Sequence, residues 1–136
     1  MSKKSTSKIY QPKSSGRILK IYVAGPYTPT SGNLHDAVRK AHQNTLRAIG
    51  LGLKIIEKGH LPFIPHLTHY IHIESKVALP KAFFQRYDFA WLEHCDALYF
   101  MGPSEGADRE LEWAKDHGLR IFTQLSQVPG VSNRRH

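Results

Sequence analysis

Cysteine is almost missing from this chain. The single Cys95 excludes an intramolecular disulfide framework and suits a reducing compartment. Apolar runs are short: none approaches the ~20 residues that span a bilayer, and the basic N-terminal stretch lacks the apolar core of a signal peptide. A soluble, cytoplasmic protein with no membrane partner is the expectation. Acidic residues are missing from positions 1–17, which hold Lys3, Lys4, Lys8, Lys13 and Arg17, and the C-terminal end adds Arg134 and Arg135. These seven cations explain most of the net charge of +8, because the remaining 12 Lys and Arg face 11 acids. The basicity belongs to the tails and not to a binding face, which argues against a nucleic-acid partner.

What is present is alternation of strand-like and helix-like segments. The 136 residues suffice for one domain that buries roughly two-thirds of its unfolded surface. That domain is placed at residues 18–124, between a polar, Ser-rich tail over 1–17, expected to be disordered, and a C-terminal tail over 125–136. ILKIYVAG, closed by Gly25 and Pro26, reads as a buried parallel strand. Leu34, Val38, Ala41, Thr45, Ala48, Gly52 and Ile55 recur at helical steps over 34–58, with Asn33 as N-cap and Gly59 as stop. Gly50 and Gly52 each weaken that helix by roughly 1 kcal/mol relative to Ala unless they permit a close approach to the sheet.

LPFIPHL, residues 61–67, reads as a second strand with Pro towards both ends, and THYIHIESKVALP, without a clear period, as a loop or lid. A helix over 79–95, the strand DALYFMG, the helix GADRELEWAKDHG and the strand LRIFTQL complete the order. The expected fold is a single-domain, doubly wound α/β sheet of the Rossmann or flavodoxin type, with four to five mostly parallel strands and helices on both faces. Ligands in such sheets bind at the C-terminal strand ends, here AGPYT, PHLTHY and MGPSEG.

Two carboxylates near those ends carry the chemical interest. Asp88 has Phe84, Trp91 and Leu92 three and four residues away, so it lies along an apolar stripe, and desolvation should raise its pKa until it can act as a general acid. Glu110 follows a helix start formed by Ser104, Glu105 and Gly106, where the exposed N–H groups favour an ionised, nucleophilic carboxylate. A protonated and an ionised carboxyl side by side suit cleavage of a glycosidic bond with retention. The plainer alternatives stand beside this: an Asp88 satisfied by Arg86 or a backbone amide, and a Glu110 on a solvated face with Asp108, Arg109 and Glu112. Asp96 reads as structural, capping nearby backbone N–H groups.

IYVAG at 21–25, GHLPFIPHL at 59–67, Asp88 and Asp96 in a D-x7-D spacing, and Ser104, Gly106 and Glu110 in an S-x-G-x3-E spacing together resemble the nucleoside 2-deoxyribosyltransferase superfamily. The resemblance covers about 18–123 and points to a small branch marked by GHxPFxPHL, whose relatives include 2-deoxynucleoside 5-phosphate N-hydrolases. It implies that Glu110 is the nucleophile, that Tyr22 holds its carboxylate, and that Asp88 handles protonation of the departing base. It implies further that Ser104 and Gly106 help hold a 5-phosphate, that no cofactor is needed, and that a neighbouring subunit completes the site, with Asn133 as a possible contributor. The chain departs from the phosphate-binding relatives after the first strand, where Pro26, Tyr27 and Thr28 replace a Ser and an Arg. Phosphate would then be met by Thr28, Ser104, Arg109 or backbone N–H groups, and the Gly25–Pro26–Tyr27 turn would border the substrate.

The function expected on this basis is cleavage of the N-glycosidic bond of a 2-deoxynucleoside or its 5-monophosphate, by hydrolysis or transfer. The alternative is a nucleotide-binding sensor that uses the same pocket without turnover. His66, His69 and His72, with His60 nearby, do not read as a metal site, because no carboxylate or thiolate completes a first shell. His66 and His69 are instead expected to line the pocket and contact base or sugar. Tyr27, Tyr70 and Phe63 are aromatic candidates for stacking on a base or for plain core and lid contacts. Adjacent helical residues diverge by about 100°, so His94 and Cys95 cannot form a base and nucleophile pair.

Overall fold

The computed structural model describes residues 16–27 and 33–131. Thr28, Asn133 and all but the end of the basic N-terminal tail lie outside the described residues. Four strands, β1 (Lys20–Ala24), β2 (Leu61–Phe63), β3 (Ala97–Phe100) and β4 (Arg120–Phe122), form one sheet in the order β2-β1-β3-β4, with every neighbouring pair parallel. The helices are α1 (Leu34–Glu57), α2 (Thr68–Glu74), α3 (Lys81–Leu92) and α4 (Glu105–Asp116), with short 3-10 turns at Pro65–Leu67 and Leu125–Gln127. The doubly wound α/β fold is thus present, with four strands.

Strand alternation divides the core in two. Ile21, Val23, Ala97 and Tyr99 point to the face covered by Ala48 and Ile55 of α1. Tyr22, Ala24 and Leu98 point to the opposite face, against Leu92 of α3 and Ala107 and Ala114 of α4. The fixed hand of β-α-β crossovers accounts for this split. The connection from β1 to β2 runs one way across the sheet and those from β2 to β3 and from β3 to β4 run the other way, so their helices must lie on opposite faces. The chain reverses direction between β1 and β3, which sets the switch point beside Tyr22 and Ala24.

Local chemistry explains the element ends. Asn33 accepts from Asp36 N at 2.9 Å to start α1, and Ser104 Oγ accepts from Ala107 N at 3.0 Å to start α4. Gly59 and Gly118, at φ of 99° and 76°, take the left-handed conformation that ends α1 and α4. Gly52 allows α1 to approach β2, since a Cβ there would stand 2.5 Å from Cδ1 of Ile64, whereas Gly50 faces open space. The helical stripe is only partly core: Leu34 and Val38 are exposed, and burial begins at Ala41.

Three expectations are corrected. The second strand covers only Leu61–Phe63, with Pro62 in its middle, tolerated because β2 is an edge strand. The segment read as a loop contains α2, which continues directly from the 3-10 turn and hides only His69, so no apolar period marks it. The tail assigned from residue 125 packs against the domain as far as Val131: Val131 N donates to Lys58 O at 2.9 Å, and Val128 and Val131 are buried. His60 holds this clasp, accepting from Leu19 N on Nδ1 at 3.0 Å and donating from Nε2 to Pro129 O at 2.6 Å. Its role is structural.

Candidate active site

Tyr22 lies at the centre of β1, fully buried, with its ring on the α3 and α4 side. Its hydroxyl donates to Glu110 Oε2 at 2.7 Å. The ring stacks on Phe63 at 5.6 Å and 24°, and Phe63 stacks in turn on Trp91 at 5.6 Å and 17°. Register makes this stack possible, because Tyr22 and Phe63 are neighbours across β1 and β2. The phenol is held well above its ordinary pKa, first by burial and then by the negative charges of Glu110 and Asp88. It therefore remains a proton donor to the carboxylate throughout the physiological range.

Glu110 is 9% exposed, which removes the solvated-face alternative. Burial pushes its pKa up to about 7, against the opposing pull of the Tyr22 hydrogen bond and the Arg109 charge. Full ionisation at neutral pH was the expectation and is corrected. Glu110 stands six residues beyond the Ser104 cap, past the first turn in which a helix dipole acts, so desolvation outweighs it.

Asp88 is half-buried on α3, and its Oδ1 is enclosed without a hydrogen-bond partner among the described residues. Neither Arg86 nor a backbone amide satisfies it. Burial raises its pKa to about 8, and the Glu110 charge adds to the rise. Asp88, Glu110 and Tyr22 therefore form one electrostatic cluster in which at most one carboxyl ionises readily near neutrality. An enclosed, protonated carboxyl without an acceptor, beside a second carboxyl oriented by a phenol, can deliver a proton and an electron pair to the same small molecule.

The loop after β1 is held by contacts that sequence spacing does not reveal. His66, 2% exposed, donates from Nε2 to Pro26 O at 3.0 Å, which leaves Nδ1 a buried acceptor without a partner among the described residues. Burial lowers its pKa, so the ring is neutral at physiological pH. Tyr27 Oη lies 2.7 Å from His69 Nδ1, and Asn44 Nδ2 donates to Tyr27 O at 3.0 Å. Burial pushes the Tyr27 phenol up to about 12 and lowers His69, to which His42 and His72 add. His66 and His69, expected on base or sugar, thus each commit one ring nitrogen to shaping the loop, and the buried His66 Nδ1 is the one enclosed without a partner among the described residues.

The remaining candidates divide. Gly25 meets Met101, where a Cβ would be 2.9 Å from Met101 Cβ, so close approach of two strand ends requires glycine there. Ser104 is at the site's helix start, but its Oγ is engaged in capping. Gly106 follows in the first turn with open space where a Cβ would stand. Arg109 is exposed and pairs with Glu105 at 3.7 Å, which also binds Lys81 of α3 at 3.2 Å. Asn44 was not expected at the loop after β1, and no sequence spacing could have marked its contact with Tyr27 O; the Lys81–Glu105 pair is an exposed link between α3 and α4. Asp96 is structural as expected, accepting from Lys20 N at 2.8 Å and Arg17 Nη2 at 2.9 Å. Burial lifts the Cys95 thiol to about 11, far from a reactive thiolate. Among the described residues no cluster of three His, Cys, Asp or Glu could hold a metal ion, and no helix is long and apolar enough to cross a membrane.

Fold and site together define a parallel α/β domain with, at its switch point, a tyrosine-held carboxyl and a second carboxyl whose Oδ1 has no partner among the described residues. By sequence the chain belongs to the family described as a domain of unknown function, DUF7768, whose model matches residues 19–124. No curated protein matches it.

Proposed function

We propose that this protein cleaves the N-glycosidic bond of a nucleoside or nucleoside 5-monophosphate, a 2-deoxy one by its resemblance to the nucleoside 2-deoxyribosyltransferase superfamily. The observation that carries the reading is the 2.7 Å contact from Tyr22 Oη to Glu110 Oε2 beside the unpartnered Asp88 Oδ1. Glu110, once ionised, attacks the anomeric carbon while the carbon–nitrogen bond breaks and its electron pair passes to the base. Asp88 donates its proton to that base. Water or a second base then attacks the anomeric carbon, the bond to Glu110 breaks, and Asp88 takes up the proton. Two inversions give retention.

The two pKa values suit these roles. Glu110 at about 7 and Asp88 at about 8 leave a window in which the nucleophile is ionised and the acid protonated. The 240 Å³ hollow beside β2 is lined by none of the three residues, and we assign the substrate instead to the strand ends bordered by Gly25, Pro26, Tyr27, Ser104 and Gly106. The same resemblance implies a homodimer or a larger homo-oligomer.

Incubation with a panel of ribo- and deoxyribonucleosides and their monophosphates, with free base measured by chromatography, tests the reading. Base release that stops in Glu110→Gln, while ligand binding persists, supports it. Saturable binding without release from any substrate points to a sensor instead, and full activity in Glu110→Gln removes the nucleophile assignment.

A further inference from the structure

The helix α2 is lightly anchored. Its seven residues bury only His69, and a hollow of about 240 Å³ lies against its Ile71 side, bounded across from it by Phe63 of β2 and Tyr87 of α3. Tyr70, Ile71 and Ile73 are all half-exposed. Little apolar packing therefore holds α2 down, and a local opening of this segment costs far less than global unfolding.

What fastens α2 is His69 itself. The ring is 3% exposed, and its Nδ1 lies 2.7 Å from Tyr27 Oη in the loop after β1, whose own main chain is held by Asn44. The cover over His69 is a shallow one. It consists of Tyr27 edge-on at 5.6 Å, half-exposed Tyr70 at 5.3 Å and exposed His42 of α1 at 5.7 Å. A small lift of α2 is enough to bring water to the ring.

The groups that face His69 would all resist a positive charge there. His42 approaches from α1, His72 stands one turn further along α2, and the Tyr27 phenol closes the third side. Burial lowers the His69 pKa, and the charges of His42 and His72 lower it further, with no carboxylate among the described residues acting against them. Asp36 of α1 is paired with Arg39 at 3.8 Å, Glu74 lies five residues along α2 and so points away, and His66 of the preceding turn is engaged with Pro26 O. With the phenol donating, the neutral His69 ring accepts on Nδ1. A proton there obliges the hydroxyl to turn and accept, and leaves an imidazolium under cover beside two further imidazoles. We propose that α2 is an acid-released latch: the contact between Tyr27 and His69 holds it over the loop after β1 at neutral pH, and uptake of a proton by His69 lets it lift and frees the Tyr27 ring. Under the glycosidic reading this ring borders the substrate, so the latch would regulate access to that site; the latch itself depends on no substrate. The open form, with the ordinary His value of 6.5, binds the proton better than the closed form, whose pKa is lowered. Closure is therefore fully stable above that value and weakens as pH falls below it, by at most about tenfold per pH unit for one proton.

Amide hydrogen exchange of the full chain at pH 7 and pH 5 provides the test, read as protection factors so that the intrinsic pH dependence of exchange divides out. Protection at the end of α2, where Ser75 N donates to Ile71 O at 3.0 Å, should fall roughly tenfold between the two, while that of α4 does not fall. His69→Gln keeps an acceptor for the phenol but cannot take up the proton, and should hold the protection of α2 level. Should His69→Gln leave α2 open at both pH values, the double variant His42→Gln/His72→Gln decides: without the two neighbouring charges, α2 should be better protected at pH 5 than in the wild type. An α2 already unprotected at pH 7, a fall shared by α4, an undiminished fall in His69→Gln, or a double variant no better protected than the wild type would overturn the proposal.

Discussion

Replacing Asp88 by Asn should change the pH dependence of stability in a way that does not depend on any substrate. The folded-state pKa of about 8 lies above the ordinary value of 3.8. Between those values the folded chain keeps a proton that the unfolded chain has released, so stability falls as pH rises and the loss is complete above the folded pKa. Over the practical span from pH 5 to pH 8 the gap covers about three units, or roughly 4 kcal/mol at full strength. Asp88 keeps partial access to water, and screening reduces the figure to about 2 kcal/mol.

An amide at position 88 does not titrate, and its fixed packing offset cancels when differences are taken across pH. Urea unfolding of both proteins at one-unit steps from pH 5 to pH 9 should therefore show Asp88→Asn gaining about 2 kcal/mol on the wild type, with unchanged m-values. A shift of that size is readily measured against a total stability of about 5–15 kcal/mol. A difference that stays flat across the range would show that Asp88 is ionised and hydrated in the folded chain, and the general-acid role would go with it.

If Glu110 and Asp88 act as proposed, the rate of base release should rise through pH 7 and fall above pH 8, following the two pKa values. Tyr22→Phe removes the hydrogen bond that lowers the Glu110 pKa, so the rising limb should move to higher pH. An unchanged limb would deny the contact its electrostatic role. Gly50→Ala should stabilise α1 by up to about 1 kcal/mol in thermal or urea unfolding, because open space surrounds it. Gly52→Ala should forfeit that gain against Ile64, and equal effects at the two positions would refute the close approach of α1 to β2.

Local pattern carried much of this protein into view. The β-branched run closed by Gly25 and Pro26 marked β1, helical spacing marked α1, and short apolar runs alternating with polar helical segments marked the rest, because such patterns are properties of neighbours in the chain. Asp88 was legible for the same reason: Phe84, Trp91 and Leu92 surround it within one helical turn, so its raised pKa could be anticipated. The helix α2 was not, since it buries only His69 and so leaves no apolar period in its seven residues. Nor was the state of Glu110, which depends on Tyr22, 88 positions away, and on burial that no nearby residue announces. The histidines make the same point, because His66 and His69 look like free ligands in sequence and prove to be committed to Pro26 and Tyr27 across 40 and 42 positions. Which elements form is decided by local periodicity; which polar groups lose their water, and to what partner, is decided when β1, α3 and α4 close over one another, and the chemistry of Asp88 and Glu110 depends on that step.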